Sequence, residues 1–380
     1  MSSLHSRAIR GRARRLAFAA TFAMSSAAVI SVVPAGASLQ PLRLTVAKAT
    51  IGNLAVVTTV PHSSDLWALN ETGSLDNTTY SLVRWHNGHV LSVKAPKIGG
   101  RYGGLYAMAA AGPSAIWLAG ARQAVGIQEL PAIWQWNGKS FVADKLPGDL
   151  ENGAVAVGSI SASSPTNAWA VGSDIWSSKT NEQVALHWNG KTWSEVATPG
   201  IGLDEVSTSS PTNAWAIGNG SFWHWAGSSW KAAGAPPAGD NIVSLATTSP
   251  QLAYAVGETA RDFPLALKWT GKAWAAMVMP KHLHPSFLRS MSMAGSSAFA
   301  VGAWSNPSSP LWNPIVLHTS GGAWSVQTEY KPPHGLFLEG VSAASKSRAY
   351  AVGYSQAGTG YPGYTFAEAY NGRIWKQISS

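Results

Sequence analysis

Four charged residues stand in short segments otherwise built from Ser, Ala, Thr and Val, and their types suit them to chemistry. They are Asp204, Glu205, Arg289 and Glu339. Carboxylates and a guanidinium that converge on one place can hold a polar ligand through charge-assisted hydrogen bonds. Two carboxylates at a suitable separation can instead act as the acid and base of glycoside hydrolysis. These residue types therefore indicate a polar binding site or a hydrolytic site.

A second group of candidates consists of aromatic residues that fall outside the regular pattern of the chain. They are Trp176, Trp304, Trp312, Tyr354, Tyr361 and Tyr364. Flat side chains held on loops can stack on sugar rings or anchor a protein partner. The simpler alternative is that they fold back over neighbouring strands and serve packing alone. We expect the last five to form one patch, because they belong to two adjacent repeat units.

Common catalytic and cofactor signatures are missing from the sequence. It has no G-x-S-x-G, H-E-x-x-H or EF-hand motif. With no Cys, it cannot form a disulfide, a thiol nucleophile or a Cys-based metal site. His282, His284 and His334 could hold zinc, but Lys281 and Lys331 stand beside them and would repel a cation. We therefore expect no metal and no cofactor, and a binding protein is favoured over an enzyme.

The strongest signal in the sequence is an internal repeat. The segment SPTNAWAVG at 164–172 returns almost unchanged as SPTNAWAIG at 210–218. Seven aromatic anchors recur at intervals of 39 to 52 residues: Trp67, Trp117, Trp169, Trp215, Tyr254, Phe299 and Tyr350. A second element follows each anchor, as in Trp188 to Trp193, and its spacing of five is the same in all seven copies.

A constant spacing across a Gly is typical of a tight hairpin, because turn length fixes strand register. The Asn-Gly pairs at 87–88, 137–138, 189–190 and 371–372 predict type I′ turns. A strand of small residues precedes each anchor, so each unit contains four strands, A to D. Seven such units predict an all-β, seven-bladed β-propeller with four antiparallel strands per blade, forming one domain over residues 38–380. Most Trp residues are then expected to pack between blades.

Alignment on the anchors places the charged candidates on strand A. Asp204 and Glu339 stand eleven residues before their anchors, whereas Glu205 and Arg289 stand ten before theirs. Strand A lines the axial channel of a propeller, so we expect these four residues around its opening. The alternative is that they are solvated charges beside a water-filled channel.

The repeat resembles secreted bacterial β-propellers of the broad kelch and Asp-box grouping, over residues 42–380. Gly-Lys-Thr-Trp193 and Gly-Lys-Ala-Trp274 match the end of an Asp-box, although Trp188 and Trp269 stand in place of its Asp. The motif Ala-Trp-Ala-Val-Gly followed by His-Trp-Asn-Gly is similar to the repeats of exported actinobacterial propellers. The resemblance implies the fold and export, and it implies no particular activity.

The first 37 residues have the features of a secretory signal peptide. They carry five Arg and no acidic residue, then an apolar run from Leu16 to Val33 and an A-x-A site at 35–37. A retained membrane anchor is the alternative; after cleavage no membrane span remains. Charged residues make up only 12% of the chain and form no basic cluster after the leader, so nucleic acid is not an expected partner. We expect a secreted or cell-envelope protein.

The sequence thus favours a non-catalytic extracellular binding module that uses the face carrying the B–C and D–A connections. Its expected partner is a polysaccharide, a cell-wall glycan or a protein. A glycan-acting hydrolase with carboxylates at the channel mouth is the first alternative, and a structural envelope protein is the second. We expect a monomer. Residues 42–47 are either an additional outer strand that helps to close the ring or a tail.

Overall fold

A computed structural model of the chain describes residues 51–378 except 74–76, 100–102, 124–128, 149, 151–154, 174–182, 282, 306–310, 328–334 and 356–362. These described residues form 28 β-strands and no α-helix. Accordingly, no described helix is long and apolar enough to cross a membrane. The expected signal peptide and residues 42–47 lie outside the described residues.

The strands occur in groups of four, here called A to D in chain order. The A strands are β1 (Asn53–Thr59), β5 (Gly104–Gly112), β9 (Ser159–Ser164), β13 (Glu205–Ser210), β17 (Asn241–Ser249), β21 (Ser286–Ala294) and β25 (Leu336–Ser345). The B strands are β2 (Leu66–Thr72), β6 (Ala115–Gln123), β10 (Asn167–Ser173), β14 (Asn213–Gly218), β18 (Leu252–Glu258), β22 (Ser297–Ser305) and β26 (Arg348–Ser355). The C strands are β3 (Thr79–His86), β7 (Glu129–Trp136), β11 (Gln183–Trp188), β15 (Ser221–Trp225), β19 (Pro264–Trp269), β23 (Trp312–Thr319) and β27 (Tyr364–Tyr370). The D strands are β4 (His89–Lys94), β8 (Phe141–Ala143), β12 (Trp193–Glu195), β16 (Trp230–Ala232), β20 (Trp274–Ala276), β24 (Ser325–Val326) and β28 (Trp375–Gln377).

Each group forms its own antiparallel sheet in the order A-B-C-D, giving seven blades. Neighbouring A strands pack side by side, and β25 of the last blade packs against β1 of the first. The seam between these two blades is closed by Gly52 N–H donating to the Gly363 carbonyl at 2.9 Å, and no described strand is exchanged between them. The prediction of a seven-bladed β-propeller with four strands per blade is confirmed.

The aromatic anchors hold adjacent blades together. Trp215 on strand B of blade four is fully buried and meets Trp269 and Trp274 of blade five at ring-centroid distances of 4.8 and 5.2 Å. Phe299 of blade six meets Tyr370 and Trp375 of blade seven in the same way. Tilted and edge-on aromatic pairs of this kind add about 0.5–1.5 kcal/mol each beyond their burial. The repeated aromatics are therefore the core between blades, as expected.

The C–D connections confirm the five-residue spacing but correct the turn type. Trp136 pairs with Phe141 and Trp188 with Trp193 across four-residue loops, whereas only His86 and His89 flank a two-residue Asn-Gly turn. In that one turn both Asn87 and Gly88 have positive φ. At 137, 189 and 371 the Asn does not have positive φ; its side-chain Oδ1 instead accepts the N–H groups two and three residues later. Side-chain capping of the loop therefore replaces the type I′ turn that the Asn-Gly pairs predict.

Serines of strand A connect the innermost strands around the channel. Their hydroxyl oxygens accept backbone N–H groups of the next blade: Ser159 from Val206, Ser161 from Thr208, Ser207 from Thr247, Ser244 from Met291, Ser290 from Val341, Ser292 from Ala343 and Ser342 from Thr59. These donors are buried, so leaving one unpaired costs about 1–3 kcal/mol. The small polar composition of strand A is thereby explained.

Candidate functional site

A bulge near the start of strand A places one residue outside the regular ladder in blades one, two, five, six and seven. Antiparallel order puts the start of A and the end of B at the face carrying the B–C and D–A connections, which we call the upper face. In blade seven, Leu338 pairs with Gly353 and Gly340 with Val352, so Glu339 has no partner in the ladder. Arg289 is bulged in blade six and Tyr106 in blade two. A bulge re-aims the side chain that it carries.

The Gly that ends each Ala-aromatic-Ala-Val-Gly segment makes this bulge possible. A Cβ added at Gly353 would lie 1.8 Å from the Phe337 carbonyl oxygen, and one at Gly302 would lie 2.0 Å from that of Phe287. Strand A can cross this close only where its neighbour has no side chain. The repeated Gly is thus linked to the geometry of the upper face.

The bulge corrects the predicted alignment of the four charged residues. Asp204, like Glu339 and Arg289, directly precedes the residue where regular pairing with strand B resumes, because Glu205 pairs with Ile217. Arg289 therefore shares the position of Asp204 and Glu339, and not that of Glu205. Strand A of blades four and seven has a register shift near the A–B turn, and strand A of blade six does not. Blade six therefore has one residue fewer between the bulge and the anchor, and counting back from Phe299 assigns Arg289 to the wrong position.

Glu205 occupies a place that serines fill in other blades. Its Oε1 accepts the Ser244 hydroxyl at 2.9 Å and the Leu245 N–H at 3.1 Å, while its Oε2 is buried and has no hydrogen-bond partner. Burial raises the pKa of Glu205 to about 8, against the effect of these two hydrogen bonds. Burial also raises the pKa of the adjacent Asp204 to about 7. Glu205 is only 3% exposed, so it is not a solvated channel charge.

Glu339 and Arg289 meet at the opening, beside a carboxyl group that the sequence analysis missed. The Glu339 Oε2 lies 3.9 Å from Arg289 Nε, and Glu339 is 7% exposed. Burial raises the pKa of Glu339, and Arg289 opposes that rise. Glu71, at the end of strand B in blade one, lies near enough to repel Glu339 electrostatically. Burial, and then this repulsion, raise the pKa of Glu71 to about 8.

Two tyrosines and a third carboxylate continue this cluster into blade two. Burial raises the pKa of Tyr106, and the charge of Glu129 adds to the rise. Tyr80 behaves in the same way, with Glu71 as the larger charge effect. Glu129 itself is buried. We call this group the mouth cluster: Glu71, Tyr80, Tyr106, Glu129, Arg289 and Glu339.

Four aromatic side chains form a second feature of the upper face, between blades six and seven. Trp312 lies between Phe287 and Phe337, at ring-centroid distances of 4.8 and 5.1 Å, and Phe337 stacks on Tyr354 at 5.4 Å. Phe287 and Trp312 are partly exposed, while Phe337 and Tyr354 are buried. We call this group the aromatic shelf. The Arg289 guanidinium carbon lies 5.5 Å from the Phe287 ring centroid, so the shelf adjoins the mouth cluster.

The remaining predicted aromatics have mixed positions. Trp304 is partly exposed and stacks on His284 at 4.3 Å. Tyr364 is 48% exposed and lies at the seam between blades seven and one, where it bridges to Ile51. Trp176 and Tyr361 lie outside the described residues. The structure thus brings Trp304, Trp312 and Tyr354 to blade six and its border with blade seven. Tyr354 is a buried member of the shelf and contributes to its packing.

The described residues contain no group of three side chains arranged to bind a metal ion. His284 stacks on Trp304, and the other two candidate histidines, His282 and His334, lie outside the described residues.

Comparison with known proteins adds the fold and nothing more specific. No protein-family profile and no curated protein matches the chain. Among solved structures, the GH74 xyloglucanase from Xanthomonas campestris is 14% identical with a TM-score of 0.57, over 88% of this chain and 55% of that one. The β-propeller domain of the Trilobed protease from Pyrococcus furiosus, described as having an open velcro topology, is 8% identical with a TM-score of 0.51, over 87% and 97%.

A fucose-binding lectin from Aleuria aurantia with a six-bladed propeller is 11% identical with a TM-score of 0.43, over 74% of this chain and 96% of that one. At these identities the likenesses to the xyloglucanase and to the protease domain support the propeller architecture only. The site must therefore be argued from its own residues.

Proposed function

We propose that this protein is a non-catalytic carbohydrate-binding propeller whose ligand sits on the upper face, across the aromatic shelf and the opening of the channel. The observation that carries the proposal is the aromatic shelf, with two partly exposed rings beside Arg289 and Glu339. The apolar face of a sugar ring stacks on such side chains, and its hydroxyl groups pair with the neighbouring charged groups.

The position of the shelf supports a binding role over a packing role. The anchors between blades are fully buried near the start of strand B, away from the upper face, as Trp117 and Trp215 are. Phe287 and Trp312 lie instead at the upper ends of β21 and β23, outside the repeat of anchors, and remain partly exposed. Rigid strands that carry exposed aromatics at one end are a common support for ligand contacts.

A glycan and cell-wall polysaccharide array with purified protein tests this proposal. We expect saturable binding that falls at least tenfold in Trp312→Ala. Trp269→Ala is the matched control, because Trp269 is also partly exposed but packs on Trp215 between blades four and five. Binding that is unchanged in Trp312→Ala, or lost equally in both variants, would contradict the proposal.

A second candidate function is glycan hydrolysis, favoured by one observation. Glu71 and Glu339 are two carboxyl groups in electrostatic contact, and burial and repulsion hold Glu71 protonated near neutral pH. A protonated carboxyl beside an ionised one is the pairing that glycosidases use. Release of reducing ends from a bound glycan, abolished in Glu71→Gln, would replace the binding-only function with this one.

The setting of the protein is also part of the proposal. We propose that residues 1–37 are a signal peptide, that residues 38–380 form the mature propeller, and that the protein acts as a monomer outside the cell or in its envelope. The kelch and Asp-box likeness of the repeats, and their similarity to exported actinobacterial propellers, accord with this setting. Amino-terminal sequencing of protein recovered from the culture medium tests it, and an intact leader would contradict it.

A further inference from the structure

The mouth cluster is acidic although the chain as a whole is basic. It combines the carboxyl groups of Glu71, Glu129 and Glu339 with the single guanidinium of Arg289. The formal net charge of the chain is +9. Asp204 and Glu205 add two further carboxyl groups on the inner strand of blade four. The local excess of acid is therefore a feature of this opening and not of the composition.

The protein itself compensates two of these carboxyl groups, Glu339 and Glu205, only in part. Glu339 is 93% buried, and its ion-pair partner among the described residues, Arg289, lies at 3.9 Å. No described residue forms a hydrogen bond with its carboxyl group. Glu205 keeps a buried Oε2 with no hydrogen-bond partner. Burying a carboxylate without partners costs free energy, and a bound cation offsets that cost. The raised pKa of Glu71 has the same origin, since burial and the nearby Glu339 both disfavour its charged form.

The aromatic shelf already holds one cation against a ring. The Arg289 guanidinium carbon lies 5.5 Å from the Phe287 centroid, within the range of a cation–π contact. The same guanidinium faces Glu339. A ligand that presents a flat ring and a positive charge side by side matches both features, because the ring stacks on the shelf while the charge reaches the carboxyl groups.

We infer that the mouth cluster recognises glycans that carry free amino groups, of the glucosamine type, with the protonated amine paired to Glu339 and Glu71. This inference rests on the proposed carbohydrate-binding function and specifies its ligand class. The ammonium group would donate hydrogen bonds to the Glu339 carboxylate and to Glu71. The Glu71 carboxyl group holds a proton near neutral pH in the free protein and would release it to solvent when the ammonium group binds. Neutral glycans would keep the stacking contacts and lose the charge contacts.

The test compares glucosamine and N-acetylglucosamine hexamers by calorimetric titration at a pH where the amine is largely protonated. The two oligomers differ only in whether the nitrogen carries a charge. We expect the glucosamine hexamer to bind at least tenfold tighter, with an affinity that falls as salt is added. Glu71→Gln should weaken glucosamine binding about tenfold and leave binding of the acetylated hexamer unchanged. Glu339→Gln should also weaken glucosamine binding about tenfold, and it should weaken binding of the acetylated hexamer by a smaller factor, because that hexamer keeps only hydroxyl contacts with Glu339.

Glu258→Gln is the matched control. Glu258 ends strand B of blade five as Glu71 does in blade one, but it contacts Asn241 and lies outside the mouth cluster. It should bind both oligomers like the unmodified protein. Circular dichroism melts of all three variants show whether each remains folded, and a charge-specific loss in one oligomer only cannot arise from unfolding.

Three outcomes would overturn the inference. Equal affinity for the two hexamers, with Trp312-dependent binding retained, removes the charge recognition and leaves the proposed function standing. A preference for acidic glycans would mean that Arg289, and not the carboxyl groups of the mouth cluster, makes the charged contact with the ligand. Failure of both hexamers and of every neutral glycan to bind removes the inference and the proposed function together.

Discussion

The two ends of the blades differ in how their buried polar side chains are paired. At the lower end, where A–B and C–D connections lie, Asn213 Oδ1 is 2.8 Å from His224 Nε2, and that imidazole stacks on Trp215 at 4.3 Å. Blade three repeats the arrangement with Asn167 and His187. At the upper end, Glu205 and Glu339 are buried with few partners. The lower end pairs its Asn and His side chains with each other, whereas the upper end holds carboxyl groups that the described residues pair only in part.

The largest effect should come from the lower-end core. Trp215→Ala removes a fully buried side chain that contacts two tryptophans of the next blade. We expect the free energy of unfolding to fall by about 3–5 kcal/mol, measured by urea denaturation. Trp312→Ala on the upper face should cost less than half as much, because Trp312 is partly exposed. Equal losses would erase the contrast between the two ends.

The close approach beneath the bulge gives the next largest effect. Gly353→Ala places a Cβ 1.8 Å from the Phe337 carbonyl oxygen and forces strand A of blade seven away. We expect a loss of about 1–3 kcal/mol in unfolding free energy. Gly322→Ala is the control, because a Cβ there meets nothing within 4 Å. If Gly353→Ala matched this control, the link between the repeated Gly and the bulge would be wrong.

A pH series separates the two ends through Glu205. Its pKa is about 8 in the folded protein, against 4.5 for an unperturbed carboxyl group, so the folded state binds more protons between these values. The contribution of Glu205 is therefore full at low pH and is lost as pH rises from 4.5 through 8. Between pH 6.5 and 8 the unfolding free energy should fall by on the order of 1–2 kcal/mol from this group.

Glu205→Gln should reduce this slope by the share of one carboxyl group, measured by urea denaturation at each pH. Asp204 and Glu71, whose pKa values are raised to about 7 and about 8, keep their share of the slope in both proteins. Burial lowers the pKa of His187 and His224, so these groups are mostly neutral in the folded state above pH 6.5. Their protons in the unfolded state contribute equally to the slopes of the two proteins. An unchanged slope would show that Glu205 is ionised in the folded protein.

The smallest effect concerns the satisfied network at the lower end. Asn213→Ala removes the partner of His224 and the 2.6 Å hydrogen bond to the Ser209 hydroxyl. We expect a loss of about 1 kcal/mol in unfolding free energy, with no change in glycan binding. A change in glycan affinity without a change in stability would show that the ligand contacts the lower end of the blades, which would contradict a site on the upper face.

Sequence predicts the lower end well because its signals are local. The spacing of five from Trp188 to Trp193 fixes the pairing across one hairpin, and the anchors repeat in every blade. The predicted turn type is wrong only where the side chain of Asn137, Asn189 or Asn371 accepts the backbone N–H groups of the loop.

The upper end could be predicted only in part. Asp204, Glu205, Arg289 and Glu339 stood out as charges among small residues, but a one-residue irregularity decides which of them share a position. Glu71 and Glu339 are 268 positions apart in the numbering and meet only because the ring closes. The strand pattern of blade one gives no sign of that contact, and a count of glutamates near the ends of strands B and C is the one signal that could have suggested it.

The central claim, that the upper end keeps its carboxyl groups for a ligand, is tested most directly by one variant measured twice. Glu71→Gln should raise the unfolding free energy at pH 8, since it removes a buried charge that Glu339 repels. The same protein should bind the glucosamine hexamer about tenfold more weakly. A variant that is less stable and binds as before would contradict the account, because Glu71 would then serve the fold and not the ligand.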